Sequence, residues 1–256
     1  MDWSATQYSK FERERNRPVC DLLAQVGDQT VNRAADIGCG PGTSTELLQA
    51  RFPNAAVIGI DSSPNMIEAA RKRLPTIQFE IDDITSWRQV GPFDLILANA
   101  VLQWVPDHAR LLPKLLAKLA FGGSLAVQIP NNLNEPAHRL MREIGEQGPW
   151  NRKLAGASKA RDNDQRADWY YRTLHGLGAK VNVWVTIYHH PLTGGAGAVV
   201  EWFKGSGLRP FLDPLNDQES SEFLKLYQEA IAVAYPTLPD GTVLLPFPRL
   251  FFVATL

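Results

Sequence analysis

Cysteine is almost absent: two residues in 256, Cys20 and Cys39. That excludes a disulfide framework as the source of stability and fits a reducing cytoplasm. Charge of one sign is not in surplus either, since 26 lysines and arginines meet 27 aspartates and glutamates. No basic excess points to nucleic acid, and no acidic tail points to a solvating segment. Nothing approaches the roughly 18 apolar residues in a row that a membrane-spanning helix needs. The opening stretch MDWSATQYSKFERERNRP is polar and charged, without the apolar centre of a signal peptide. Cysteine and histidine nowhere take zinc-ligand spacing. His189 and His190 are neighbours in a strand-like run, so they face opposite sides and do not share an ion; no metal is expected. No repeat and no low-complexity tract interrupts the chain.

What is present is an apolar fraction of 45%, enough to bury a sizeable core in one large domain or in one domain carrying an inserted lobe. RPVCDLLAQV predicts a helix with Pro18 in its first turn. Short apolar strands and amphipathic helices then alternate. RAADIG, AAVIGID, IQFEIDDI, FDLILANA and GGSLAVQIP are the strands; TSTELLQARF, SPNMIEAARKRL and HARLLPKLLAKL are the helices. This alternation predicts an α/β fold with a doubly wound, mostly parallel sheet covered on both faces. After Pro130 the chain turns polar and loses strand signals. ADWYYRTLHGLG then reads as a helix with a glycine stop, and GAGAVVEWFKGSG and DQESSEFLKLYQEAIAVAY as further helices. The last of these puts Phe223, Tyr227, Ala230, Ile231 and Ala234 on one face. AKVNVWVTIYHHPL and PRLFFVATL are two more strands, which bring the sheet to seven, one of them antiparallel. The expectation is a single domain over 1–256, with lid insertions at about 131–165 and 194–236.

ADIGCGPGTSTELL places Gly38, Gly40 and Gly42 where the first strand gives way to a helix. A phosphate loop requires a lysine after the last glycine, and none is there. A dinucleotide fold prefers Gly-x-Gly-x-x-Gly, whereas the spacing here is Gly38-x-Gly40-x-Gly42. Asp36, just before the loop, would repel a pyrophosphate but can accept from an ammonium group. S-adenosylmethionine has such an ammonium at its amino-acid end and no phosphate, and the glycines let that end lie against the backbone. Asp61 ends the second strand, where a carboxylate binds ribose hydroxyls. Asp82 and Asp83 end the third, where they can accept from an adenine amino group while Ile84 lies against the ring. Asn99 and Ala100 end the fourth, beside the expected methyl position. The plainer reading, that the glycines only make a tight turn, stands beside this one.

The combined pattern DIGCGPG…GID…DDI…ANAVLQW resembles the class I S-adenosylmethionine-dependent methyltransferases. The resemblance implies a Rossmann-like seven-stranded sheet with a helical lid. It also implies S-adenosylmethionine as cofactor and S-adenosylhomocysteine as product. The cofactor-binding residues would be Asp36, Gly38, Cys39, Gly40, Gly42, Asp61, Ser62, Met66, Asp82, Asp83, Ile84, Asn99 and Ala100. For Cys39 a role as small apolar filler is the alternative. LQWVPDH, PAHRLMRE, GLRPFL and FPRLFFVA extend a narrower resemblance, to the trans-aconitate methyltransferases, over nearly the whole length. It implies methylation of one carboxylate of that tricarboxylate.

Such a substrate carries about three negative charges at pH 7, and its reacting carboxylate is already ionised. No general base is therefore expected, and the chain's task is positioning: the nucleophile must lie about 3–3.5 Å from the methyl carbon, opposite sulfur. The non-reacting carboxylates need cations, for which arginine is best suited. Arg209 and Arg142 lead the candidates, with Arg17, His138 and Arg249 behind them. Arg17 can instead hold the cofactor's carboxylate, or pair at the surface with its acidic neighbours; Arg249 can simply mark the start of an edge strand. Trp104 can wall the methyl site or belong to the core. Tyr8 and Phe11 can fold over the cofactor or merely pack. Other readings stay open: a methyltransferase of the same fold acting on a malonyl thioester of a carrier protein or on a quinone ring, or a non-catalytic S-adenosylmethionine-binding module. A nicotinamide dehydrogenase is disfavoured by the glycine spacing.

Overall fold

The computed structural model describes residues 12–157 and 165–256. The described residues begin with α1 (Glu12–Leu23), and the chain then alternates: β1 (Arg33–Ile37), α2 (Thr43–Arg51), β2 (Ala56–Asp61), α3 (Pro64–Arg73), β3 (Gln78–Ile81), β4 (Phe93–Asn99). A short 3₁₀ turn (Leu102–Trp104) leads to α4 (His108–Leu116) and β5 (Leu119–Pro130). Then come α5 (Pro136–Gln147), α6 (Asn151–Leu154), α7 (Ala167–Gly176), β6 (Lys180–Thr193), α8 (Gly195–Lys204), α9 (Arg209–Leu212), α10 (Asp217–Ala234) and β7 (Thr242–Thr255).

The strands form one seven-stranded sheet in the order β3-β2-β1-β4-β5-β7-β6. Neighbours from β3 through β5 pair in parallel. At the β5–β7 pair, the Gly122 amide donates to the Leu256 carbonyl and the Asn131 amide to the Pro248 carbonyl. β7 therefore recedes as β5 advances, which makes this pair antiparallel. The chain winds outward from β1 to β3 and returns to the other side of β1 as β4. The carboxyl ends of β1 and β4 thus form the topological switch point, where open α/β sheets bind ligands.

Local sequence accounts for the boundaries. Ser63 caps α3, its hydroxyl accepting from the Met66 amide, with Pro64 at the first helical position. Asn216 and Glu219 make a reciprocal capping box at the start of α10. The face foreseen on α10 is the one that packs, with Phe223, Tyr227 and Ile231 fully buried. Gly178, at φ +91°, stops the segment after α7. The main apolar core joins Ile37, Ile96, Ala98, Leu112 and Val127 to Tyr170, Leu174 and Phe252.

Several boundaries differ from expectation, three of them with a clear local cause. α1 starts at Glu12 and takes Pro18 into its interior rather than its first turn, because the charged residues before the proline are themselves helical. β5 starts at Leu119, ahead of the Gly122–Gly123 pair, and its pairing with β4 shifts register between Phe93 and Leu95. The glycines thus sit in a bulged stretch inside the strand and do not begin it. β7 begins at Thr242, not near Pro248. Its prolines cost only amide donors, while Val243, Leu245 and Phe247 alternate inward and are buried.

The described residues fall into two compact units. One takes in Met1–Pro130, Gln165–Thr186 and Leu250–Leu256; the other takes in Asn131–Asp164 and Ile187–Arg249, each as far as the described residues go. Most of the two expected lid segments belongs to the second unit.

Candidate active site

All three loop glycines have left-handed backbones, at φ +72° for Gly38, +55° for Gly40 and +88° for Gly42. Their surroundings differ. A Cβ on Gly38 would sit 2.2 Å from Val101 Cγ2, and one on Gly42 would sit 3.3 Å from Ala70. A Cβ on Gly40 would meet nothing within 4 Å. Gly38 and Gly42 therefore serve close packing as well as the turn, and Gly40 alone presents bare backbone to open space. The amides of Gly38 and Cys39 both donate to the Ile60 carbonyl, at 2.8 and 2.9 Å, which ties the loop to β2.

Asp61, at the end of β2, holds the same loop. Its Oδ2 accepts from the Gly40 amide and its Oδ1 from the Ser63 amide, each at 2.9 Å. Burial pushes its carboxyl above the ordinary carboxylate range, against the pull of these amide donors. Asp36 is wholly buried; its Oδ2 accepts from the hydroxyls of Ser44 and Thr45, both at 2.7 Å, and its Oδ1 has no partner. Desolvation raises its carboxyl from 3.8 to about 6, the two hydroxyls pulling the other way. Cys39 is buried against Ile67, Ala70 and Phe79, and burial pushes its thiol up, so it fills space beside the loop. Met66 is buried and Ser62 exposed.

At the end of β3, Asp82 Oδ1 accepts from the Asp83 amide, and Asp83 Oδ1 from the amide and hydroxyl of Thr85. These carboxylates shape the turn there, and Ile84 packs onto the main core. At the end of β4, Asn99 Oδ1 is buried without a partner. Ala100 adopts φ +53°, a strained conformation for a residue with a side chain. Its amide donates to the Gln128 carbonyl at 2.9 Å, and its carbonyl accepts from Gln103 Nε2 at 2.6 Å. Trp104 ends the same turn, half-buried.

Sequence reasoning missed Ser44, Thr45 and Gln103. The signal for Gln103 was an amide inside the apolar run AVLQW; for the hydroxyls, it was their place one turn past an acidic strand residue. It also missed His108, whose Nε2 donates to the Leu102 carbonyl at 2.8 Å while its Nδ1 lies 2.6 Å from the Tyr170 hydroxyl. The carbonyl can only accept, so Nε2 carries the proton and Nδ1 accepts from the tyrosine. Burial lowers the tendency of His108 to protonate.

The remaining candidates are spread over both units. In the first, Arg17 is exposed on α1, 3.9 Å from Asp21. Tyr8 and Phe11 lie outside the described residues. In the second unit, Arg142 donates from Nη2 to the Leu133 carbonyl at 2.8 Å, and Arg209 lies 4.0 Å from Asp213. His138 is buried edge-on to Phe203 and packs against Gly207, two residues before Arg209. Arg249 is buried with its guanidinium 4.7 Å from the Phe247 ring centre. It lies inside β7, between β5 and β6 in the sheet, so it does not mark the start of an edge strand.

A glycine loop and an acidic strand end at the switch point of this sheet make a nucleoside-binding edge, and similarity to known proteins places the chain in one class, the α/β methyltransferases. Residues 34–123 match the family model described as a methyltransferase domain. Solved structures of similar fold include the YcgJ protein of Bacillus subtilis, with a TM-score of 0.60 at 11% identity over 94% of this chain and 98% of that one. Another is phosphoethanolamine N-methyltransferase 2 of Haemonchus contortus, with a TM-score of 0.55 at 16% identity over 93% of this chain and 52% of that one. Sequence similarity goes further. The chain is 53% identical over 253 residues to trans-aconitate 2-methyltransferase of Methylobacterium nodulans, covering 99% of this chain and 98% of that protein. The enzyme of that name from Rhizobium meliloti is 49% identical over 255 residues, covering 100% and 99%. The chain belongs to the trans-aconitate 2-methyltransferase family.

Proposed function

We propose that this chain is an S-adenosylmethionine-dependent O-methyltransferase that esterifies one carboxylate of trans-aconitate, yielding a monomethyl ester and S-adenosylhomocysteine. The observation that carries this reading is identity at the 50% level along the full length of enzymes bearing that name, both units included. The residues fit the cofactor: Gly40 offers open backbone, and Asp61 beside it retains lone pairs for ribose hydroxyls. When bound, S-adenosylmethionine supplies a methyl group activated by sulfonium sulfur.

The protein's own part is to bind, orient and exclude water. The loop from Gly38 to Gly42 and the ends of β2, β3 and β4 hold the cofactor. We assign substrate choice to the second unit, which carries Arg142, Arg209, Arg249 and His138. Cations there neutralise the two carboxylates that do not react, and the planar fork of arginine suits them. The reacting carboxylate is ionised at neutral pH, so no side chain has to remove a proton. We place the protein in the cytoplasm: Cys20 and Cys39 are both free thiols, and no described helix is long and apolar enough to cross a membrane.

The test is methyl transfer from labelled S-adenosylmethionine to trans-aconitate, cis-aconitate, citrate, isocitrate and a malonyl thioester, assayed separately. A base-labile labelled product with trans-aconitate is expected. Labelling only of another acceptor, or of none, overturns the assignment.

A further inference from the structure

We infer that Gln103 is a two-ended site residue: its Nε2 locks the strained Ala100, and its Oε1 accepts a hydrogen bond from the α-ammonium group of the bound cofactor. The inference rests on the methyltransferase reading above. Gln103 is only 7% exposed, on the turn that follows β4. Its amide orientation is fixed by its partner. The Ala100 carbonyl, 2.6 Å away, can only accept, so nitrogen faces it and oxygen occupies the other end. That oxygen is buried and has no hydrogen-bond partner. A buried acceptor left unpaired has lost its water without a replacement, so a ligand that brings a donor there is favoured.

The surroundings identify the donor. Ala100 is held at φ +53° from both sides, by Gln128 through its amide and by Gln103 through its carbonyl. Strain maintained in this way is characteristic of ligand sites. Val101 packs on Gly38, which sets the turn against the glycine loop at the switch between β1 and β4. Two more buried acceptors lack partners at this edge, Asn99 Oδ1 and Asp36 Oδ1. Asp36 is in register with Leu97, two residues before Asn99, so both side chains lie on the same sheet face.

A primary ammonium matches such a place, because it carries three donors and a positive charge opposite one carboxylate. Across the sheet edge the order is β3, β2, β1, β4. The adenine and ribose are assigned to β3 and β2, through Asp82, Asp83 and Asp61, which leaves the amino-acid end at β1 and β4.

The test is calorimetric and needs no turnover. Wild type, Gln103→Met and Gln103→Glu are titrated with S-adenosylhomocysteine, with its analogue lacking the α-amino group, and with 5′-methylthioadenosine, which lacks the whole amino-acid end. Gln103→Met should weaken S-adenosylhomocysteine by about ten- to a hundredfold and leave the other two ligands within about twofold of wild type. Gln103→Glu keeps an acceptor oxygen and adds charge but loses the donor to the Ala100 carbonyl, so it should bind S-adenosylhomocysteine more tightly than Gln103→Met does. Equal loss of all three ligands in Gln103→Met would show that Gln103 only supports Ala100, and unchanged S-adenosylhomocysteine affinity would show that Oε1 meets no ammonium. In either case the proposed function stands. Failure of the wild type to bind S-adenosylhomocysteine at all would overturn both.

Discussion

Asp61 Oδ2 lies 2.9 Å from the Gly40 amide nitrogen, so the carboxylate assigned to the cofactor's ribose also clamps the loop assigned to its amino-acid end. One side chain thereby couples the ends of β1 and β2. Asp61→Ala removes the loop's acceptor and the ribose's acceptor together, and should weaken S-adenosylhomocysteine about ten- to a hundredfold. Asp61→Asn keeps one acceptor oxygen and should lie between alanine and wild type. Calorimetry decides: an unchanged dissociation constant in Asp61→Ala would remove Asp61 from the site.

The loop glycines should separate stability from binding. Gly38→Ala drives a Cβ to 2.2 Å from Val101 at a left-handed backbone, so it should lower the melting temperature markedly. Gly40→Ala meets no neighbour and should lose only about 1–2 kcal/mol of stability through its positive φ. Its methyl group stands where the backbone is otherwise open, so affinity should fall by more than the stability loss implies. Thermal unfolding with and without S-adenosylhomocysteine reads both quantities. Equal stability losses, or intact ligand stabilisation in Gly40→Ala, would show that the loop is a turn and nothing more.

Asp36 should leave a signature in the pH dependence of stability. Its carboxyl rises from 3.8 to about 6 because it is wholly buried, with two hydroxyl donors only partly offsetting the lost water. The folded state therefore holds this proton more tightly than the unfolded chain does. The resulting stability is fully present below pH 3.8 and is lost as pH rises through about 6, amounting to about 3 kcal/mol. Asp36→Asn stays neutral throughout. Its melting temperature relative to wild type should climb between pH 4 and pH 6.5 and then level off. Parallel curves for the two proteins would show that Asp36 ionises normally.

Much of this architecture is visible in the residues themselves. β1 to β5 are short apolar runs bounded by turn residues, and strands buried on both faces leave that mark. The glycine loop and Asp61 can be read because few chemistries require such residues at strand ends. β7 is harder, since Pro246 and Pro248 argue against a strand that a seven-stranded sheet nonetheless takes in. Gln103 and His108 are harder still. Their importance comes from carbonyls they meet only once β4 and α4 are in place, and from Tyr170, 62 positions away from His108. Pairings over such separations leave no periodic trace in sequence.

The second unit's arginines carry the remaining prediction, because charge neutralisation distinguishes a substrate clamp from an ordinary surface pair. The Arg209 side chain is 19% exposed, with Asp213 an acidic neighbour at 4.0 Å. Arg17 is 74% exposed beside Asp21, a setting in which ion pairs contribute little. Arg209→Ala should therefore raise KM for trans-aconitate by about ten- to a hundredfold while the KM for S-adenosylmethionine stays within about threefold. Arg209→Lys should recover only part of the loss, since an ammonium keeps the charge but not the bidentate geometry. Arg17→Ala should leave both constants near wild type. Steady-state kinetics with each substrate varied in turn makes the comparison. If Arg209→Ala moved both constants equally, the effect would lie in the fold, and the clamp would have to be sought among Arg142, Arg249 and His138.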